Sequence, residues 1–315
     1  MSAASATNRP EWIDAFLAGE RKALARAITL AENEGAGSGE VLDAMRGHLG
    51  RALTIGFTGP PGAGKSTLVN AFVHAMRKRD MTVGVVAVDP SSPISGGAIL
   101  GDRIRMTGHS GDAGVFIRSL ASRGHLGGLS RTAVRVIDCM DAAGMDVVVI
   151  ETVGAGQSEV EIAGVADVKV VVAAPGLGDD VQAIKAGILE IADVLVVNKG
   201  DHPLAPQTVR HLKSMVALRG SVDDVPVLKT TAMSGEGVDA QAETVIGIGK
   251  SRRQGAPQRR ARRLLRQAAL DLCRARLDAL PQDELDRLTR AFLSGENGVE
   301  SSARRLLAIA LESDR

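Results

Sequence analysis

The sequence predicts an α/β fold, a mainly parallel β-sheet covered by helices. Three observations predict it. Over residues 51–235, short apolar runs rich in Val and Ile alternate with stretches of helical periodicity. Several runs, such as Val147-Val148-Val149-Ile150 and Val170-Val171-Val172, are apolar at successive rather than alternate positions, as strands covered on both faces are. The first run leads into Gly59-Pro60-Pro61-Gly62-Ala63-Gly64-Lys65-Ser66-Thr67, and this glycine-rich stretch opens a helical pattern.

Taken in order, the chain begins with helical periodicity from Pro10 to about Glu34, carried by Trp12, Phe16, Leu24 and Ile28. A glycine-rich break follows, and Ser38 or Gly39 is placed to cap a second helix bearing Val41, Leu42, Met45 and Leu49. Residues 1–50 therefore read as an N-terminal helical extension and residues 51–250 as the α/β domain. Its strand candidates are 53–57, 82–88, 114–117, 146–150, 168–174, 194–197 and 225–229. Beyond Gly235 the periodicity is all helical. The basic stretch 250–257 reads as a linker to a long helix from near Gln258, and further helices start at Pro281 and after Gly298. The amphipathic helices of residues 251–315 need an apolar partner surface, for which a second subunit is one candidate.

Composition narrows the function. With 38 basic and 37 acidic side chains the net charge is +1, so no global field selects nucleic acid or an anionic membrane. The two cysteines imply no disulfide framework and fit a reducing cytoplasm. The six histidines form no cluster at metal-ligand spacing. No apolar run approaches the roughly 20 residues that span a bilayer, so no membrane insertion is expected. Tyr is absent and aromatic residues are 2% of the chain, which disfavours stacking platforms for single-stranded nucleic acid.

The segment from Gly59 to Thr67 fits the phosphate-loop pattern G-x-x-x-x-G-K-[ST] in its required strand-to-helix context. The glycines let successive backbone N–H groups face phosphate oxygens, and the helix opening at Lys65 adds its positive end. Lys65 is placed to reach the β- and γ-phosphates, and Ser66 to ligate Mg²⁺. The fold class is thus that of a P-loop NTPase.

The base is addressed by Asn198-Lys199-Gly200-Asp201, an N-K-x-D element at a strand end. The Asp201 carboxylate can accept from the ring N–H and the exocyclic amine of guanine. Adenine has neither donor there, so it leaves a carboxylate unmatched. Lys199 can lie along the base and Asn198 can tie this loop to the phosphate loop. Thr230-Thr231-Ala232 resembles a fifth element, placing Thr231, Ala232 and Met233 at the base, with the Ala232 N–H toward the guanine carbonyl. Carboxylates at other strand ends, Asp89, Asp102 and Glu151, are candidates for Mg²⁺. Glu151-Thr152-Val153-Gly154 is a variant of D-x-x-G in which the Gly154 N–H can bond the γ-phosphate. Gln157 is a candidate to orient the attacking water, and Arg103, Arg105 and Arg118 are candidate transition-state cations. Weak intrinsic hydrolysis that a partner stimulates is expected.

Read together, these elements resemble the MeaB/ArgK family of P-loop GTPases, which includes the human methylmalonic aciduria type A protein. The resemblance is carried by GFTGPPGAGKSTLVNAF, VAVDPSSPISGGAILGDRIRM, VFIRSLASRGHLGGLSRTA, ETVGAGQSEVEIA, APGLGDDVQAIKAGILEIADVLVVNKGD and VLKTTAMSGEGVD. It is strong over residues 53–240 and holds in outline at the helical ends. It implies a GTPase using GTP/GDP and Mg²⁺ that acts as a chaperone for an adenosylcobalamin-dependent acyl-CoA mutase, chiefly methylmalonyl-CoA mutase. It also implies a homodimer held by the C-terminal helical arm. The family's metal and switch carboxylates map onto Asp89, Asp102 and Glu151. Its additional switch loop maps onto residues 176–187, with Asp179, Asp180, Gln182 and Lys185 relaying nucleotide state to the mutase. No D-x-H-x-x-G cobalamin motif is present, so the chain is not expected to hold that cofactor itself.

Three alternatives stand beside this reading. An ATP-dependent kinase or ATPase linked to arginine and ornithine transport is separated from it by nucleotide preference. A metallochaperone GTPase would need a His/Cys metal store. A nucleic-acid-binding protein would use Arg259, Arg260, Arg262, Arg263 and Arg266, and strongly salt-dependent binding would mark it.

Overall fold

A computed structural model of the protein describes residues 10–33, 37–89, 107–109, 111–121, 131–152, 162, 164–176, 186–218 and 225–312. Among these, seven strands form one sheet: β1 (Leu53–Thr58), β2 (Val83–Asp89), β3 (Val115–Ala121), β4 (Val147–Thr152), β5 (Val168–Ala173), β6 (Val194–Val197) and β7 (Val227–Lys229). Their order is β3-β2-β4-β1-β5-β6-β7, and every pairing is parallel. The fold is α/β, as the successive apolar positions require: β1, β4 and β6 are buried at every residue.

The helices are α1 (Glu11–Leu17), α2 (Arg21–Asn33), α3 (Ser38–Ala44), α4 (Lys65–Arg77), α5 (Arg131–Ala142), α6 (Ala186–Ile191), α7 (Ala205–Leu218), α8 (Val238–Arg252), α9 (Ala256–Asp278), α10 (Gln282–Leu293) and α11 (Val299–Glu312). The chain leaves β1 toward β2 and β3 on one side. It returns through β4, then crosses β1 to build β5, β6 and β7 on the other. That reversal puts the carboxyl end of β1 at a topological switch point, where open parallel sheets bind ligands.

Three local expectations change. The N-terminal periodicity is two helices, because Gly19 takes φ +81° and packs so closely that a Cβ there would stand 2.9 Å from the Ala143 carbonyl oxygen. The helix after the glycine-rich break is capped by Gly37 in the left-handed region, and Ser38 is its first residue. The basic stretch read as a linker is helical as far as Arg252, whose guanidinium meets the Asp193 carboxylate at 2.5 Å while Lys169 pairs with the same group at 3.0 Å.

The N-terminal helices cover the exposed edge of the sheet. Arg21 donates to the Val115 carbonyl on edge strand β3 at 2.8 Å, and Arg118 of the same strand makes a two-point ion pair with Glu32 of α2. Side chains that cap an edge strand in this way block edge-to-edge pairing. The Asp141 carboxylate accepts N–H bonds from Gly50 (2.5 Å), Arg51 (2.9 Å) and Ala52 (2.7 Å), fixing the entry to β1.

The chain divides into two compact units, Met1–Pro257 and Gln258–Arg315. The second consists of most of α9 with α10 and α11, and it exposes Leu265, Leu272, Leu293 and Val299. Among the described residues, no helix is long and apolar enough to cross a membrane.

Candidate functional site

The phosphate loop joins β1 to α4 at the switch point. Gly59 takes φ +139°, and a Cβ there would lie 2.1 Å from the Val172 carbonyl oxygen, so the loop starts in contact with β5. Gly64 caps α4 in the left-handed region, and no acidic residue occupies the first turn, leaving the helix's positive end to an outside anion. Lys65, the first helical residue, is buried. Its Nζ donates to the carbonyls of Gly59 (2.8 Å) and Pro60 (3.0 Å), so the loop's own oxygens hold the ammonium at the place where phosphates would take it over.

Ser66 Oγ donates to Glu151 Oε1 at 2.6 Å. Glu151 is buried near the end of β4, level with Phe57 of β1 in the sheet register. A hydroxyl and a carboxylate converging beside the phosphate loop are hard oxygen donors of the kind Mg²⁺ takes, the remaining positions going to phosphate and water. Among the described residues there is no group of three or more His, Cys, Asp or Glu that could hold a metal ion. Asp89 is the last residue of β2, and its side chain lies outside the described residues.

Beside the phosphate loop, a cavity of about 530 Å³ is lined by Gly64 and Thr67, by Asn198, Lys199, Asp201, His202 and Pro203, and by Thr231, Ala232 and Met233. Three chain segments meet there through one side chain. Asn198 is 2% exposed. Its Nδ2 donates to the carbonyls of Ala63 (3.0 Å) and Gly64 (3.3 Å). Its Oδ1 accepts from the Ala232 N–H (3.1 Å) and the Thr230 hydroxyl (3.4 Å). The N–H that the sequence assigned to the guanine carbonyl is thus held by Asn198. Lys199 has φ +55°, an uncommon conformation for a residue with a side chain. Asp201 is exposed on the cavity wall, and among the described residues its carboxylate has no hydrogen-bond or ion-pair partner.

The sequence model of a family described as "Methylmalonyl Co-A mutase-associated GTPase MeaB" matches residues 24–281. This chain belongs to the MeaB family. It is 48% identical over 233 residues to "Putative GTPase PYRAB02490" of Pyrococcus abyssi, covering 72% of each chain. It is 43% identical over 238 residues to "GTPase ArgK" of Escherichia coli, again covering 72% of each. A solved structure titled "Crystal structure of LAO/AO transport system kinase" is similar with TM-score 0.66 and 28% identity, over 98% of this chain and 99% of that one.

Of the residues expected to serve this MeaB-family site, the structure brings together the phosphate loop, Glu151, the N-K-x-D loop and the Thr231–Ala232–Met233 turn. Asp102, Gly154, Gln157, Asp179, Asp180, Gln182 and Lys185 lie outside the described residues, as do Arg103 and Arg105. Arg118 turns away from the site, to Glu32. Two wall residues were not anticipated, His202 and Pro203. The only signal for them was their position directly after Asp201.

Proposed function

We propose that this chain is a GTP hydrolase that serves as chaperone to an adenosylcobalamin-dependent acyl-CoA mutase, with methylmalonyl-CoA mutase as its client. It gates cofactor delivery and protects or reactivates the mutase. The observation that carries the nucleotide part is the cavity in which Asn198 joins the phosphate loop to the base-side turn while Asp201 presents an acceptor on the wall. The client rests on the family's own description as mutase-associated.

In this reading Lys65 exchanges the Gly59 and Pro60 carbonyls for the β- and γ-phosphate oxygens, so its charge is already desolvated and poised before nucleotide enters. Ser66 and Glu151 would hold Mg²⁺, which neutralises charge on the transferred phosphoryl group. Asp201 accepts the two guanine N–H groups and excludes adenine. Arg118 is paired with Glu32, which leaves Arg103 and Arg105 as the candidate transition-state cations. Hydrolysis by the chain alone is slow, and the mutase stimulates it. The loop bearing Asp179, Asp180, Gln182 and Lys185 relays nucleotide state to the client. The exposed leucines of the second unit pack in a homodimer, in the cytoplasm.

A second reading has some support in the ArgK name of the Escherichia coli relative and in the transport-kinase title of the solved structure: an ATP-using enzyme of arginine and ornithine transport. One experiment separates the two. Phosphate release is measured with GTP and with ATP, each with and without methylmalonyl-CoA mutase. GTP-specific turnover that rises with mutase supports the chaperone. Turnover of ATP in preference to GTP overturns it.

A further inference from the structure

The N-K-x-D loop accounts for Asn198, Lys199 and Asp201 on the cavity wall and leaves His202 without a role. The loop is braced by its own backbone: the His202 N–H donates to the Lys199 carbonyl (3.0 Å), and the His202 carbonyl accepts from the Ala205 N–H at the start of α7 (2.9 Å). The imidazole completes the turn. The Leu204 N–H donates to His202 Nδ1 at 3.2 Å, an i to i+2 closure of the kind Asn and Asp side chains make at turns. Nδ1 is therefore an acceptor here. The other edge of the ring reaches the turn after β5, where a methyl group placed on Gly176 would stand 3.6 Å from Cε1 and Nε2. One half-buried ring thus spans from the loop carrying Asp201 to the end of the neighbouring strand.

We propose that His202 is a positioning residue for base recognition: its imidazole, accepting from the Leu204 N–H and facing Gly176 across about a methyl's width, fixes the turn that aims Asp201 into the cavity. This rests on the reading of the cavity as the guanine site. The charged groups that line the cavity with His202 are Lys199 and Asp201 on its own loop. The lining residues from α4 and from the turn after β7, the Pro175-Gly176 turn and the first turn of α7 carry no charge.

The test uses full-length protein with Mg²⁺, a fluorescent GDP analogue for affinity, and competition by GDP and by IDP, which lacks the exocyclic amine. Affinities are compared at about pH 8. His202→Leu loses the acceptor for the Leu204 N–H, and its preference for GDP over IDP is expected to shrink roughly fivefold, the worth of about one hydrogen bond, because Asp201 no longer stands where the amine is. His202→Asn keeps an acceptor and is expected to restore most of that preference. An unchanged GDP/IDP ratio in His202→Leu, or a ratio in His202→Asn that falls as far as in His202→Leu, overturns the positioning role. Failure of the natural protein to bind GDP at pH 8 overturns the guanine-site reading itself, and this inference with it.

Discussion

Asn198→Ala tests whether one buried carboxamide holds the site together. Asn198 makes two well-formed bonds, to the Ala63 carbonyl at 3.0 Å and from the Ala232 N–H at 3.1 Å, and two longer ones, to the Gly64 carbonyl at 3.3 Å and from Thr230 at 3.4 Å. The first two contribute about 1 kcal/mol each, and removing the side chain leaves buried groups unpaired at about 1 kcal/mol apiece, so the change costs about 2–4 kcal/mol. For a chain of this size each kcal/mol moves Tm by about 2–4 °C, giving a fall of roughly 5–15 °C in thermal melts of the nucleotide-free protein. GDP affinity is expected to drop at least about tenfold, since 1.4 kcal/mol suffices for that and both walls of the cavity lose their common anchor. A Tm within about 2 °C of the natural protein, together with unaltered GDP affinity, would refute the view that Asn198 joins the three segments.

Lys65→Ala removes the cation poised at the phosphate loop, and GTP turnover measured by phosphate release is expected to vanish; unchanged turnover would remove the loop from the reaction. Asp201→Asn offers a donor where guanine needs an acceptor, so competition binding should show affinity moving from GTP toward XTP; undiminished GTP affinity counts against the assignment. Gly59→Ala would set a Cβ 2.1 Å from the Val172 carbonyl at a left-handed φ, and urea unfolding should show a loss of about 2 kcal/mol or more; a stability equal to the natural protein's would contradict the close approach of loop and β5. The Arg77 guanidinium and the Gly114 N–H hold the Asp112 carboxyl below its usual range. A depressed carboxylate stabilises the fold above its unfolded pKa, and that contribution is lost as pH falls through the folded value, below the ordinary carboxylate range. Unfolding curves should therefore show a steeper acid loss for the natural protein than for Asp112→Asn, and parallel curves would refute the linkage.

The parts of the fold legible in the sequence are those where one physical requirement acts on consecutive residues. A strand buried on both faces is apolar at most successive positions, as Val147-Val148-Val149-Ile150 of β4 and all of β6 are, so the central sheet could be read directly. The phosphate loop was legible because glycine, lysine and serine are each needed at a fixed offset. Boundaries were less so. β4 extends to Thr152 and takes Glu151 into the sheet, since its parallel pairing with β1 and β2 outweighs a carboxylate's poor strand preference. The break at Gly19 was hidden because the apolar spacing of Phe16, Ala23, Leu24 and Ala27 continues across it, and only the approach of Ala143, distant in sequence, shows why the chain turns there.

The functional residues divide along the same line. Lys65 and Asp201 are proposed to act on a ligand through their own chemistry, and a motif can announce such residues. Arg118 and His202 are decided by what stands opposite. Arg118 has the charge of a transition-state cation, but Glu32, on a helix 86 residues earlier, takes it for the edge of the sheet. His202 carries no motif, but the turn it closes with Leu204 stands directly beside Asp201, and its ring faces Gly176. A local pattern names the groups that can do chemistry. Whether such a group faces a ligand or another side chain is set by strand order, which here brings the ends of β5, β6 and β7 side by side. Site residues that work through neighbours are therefore the ones a sequence leaves unmarked, and His202 is where that expectation can be measured.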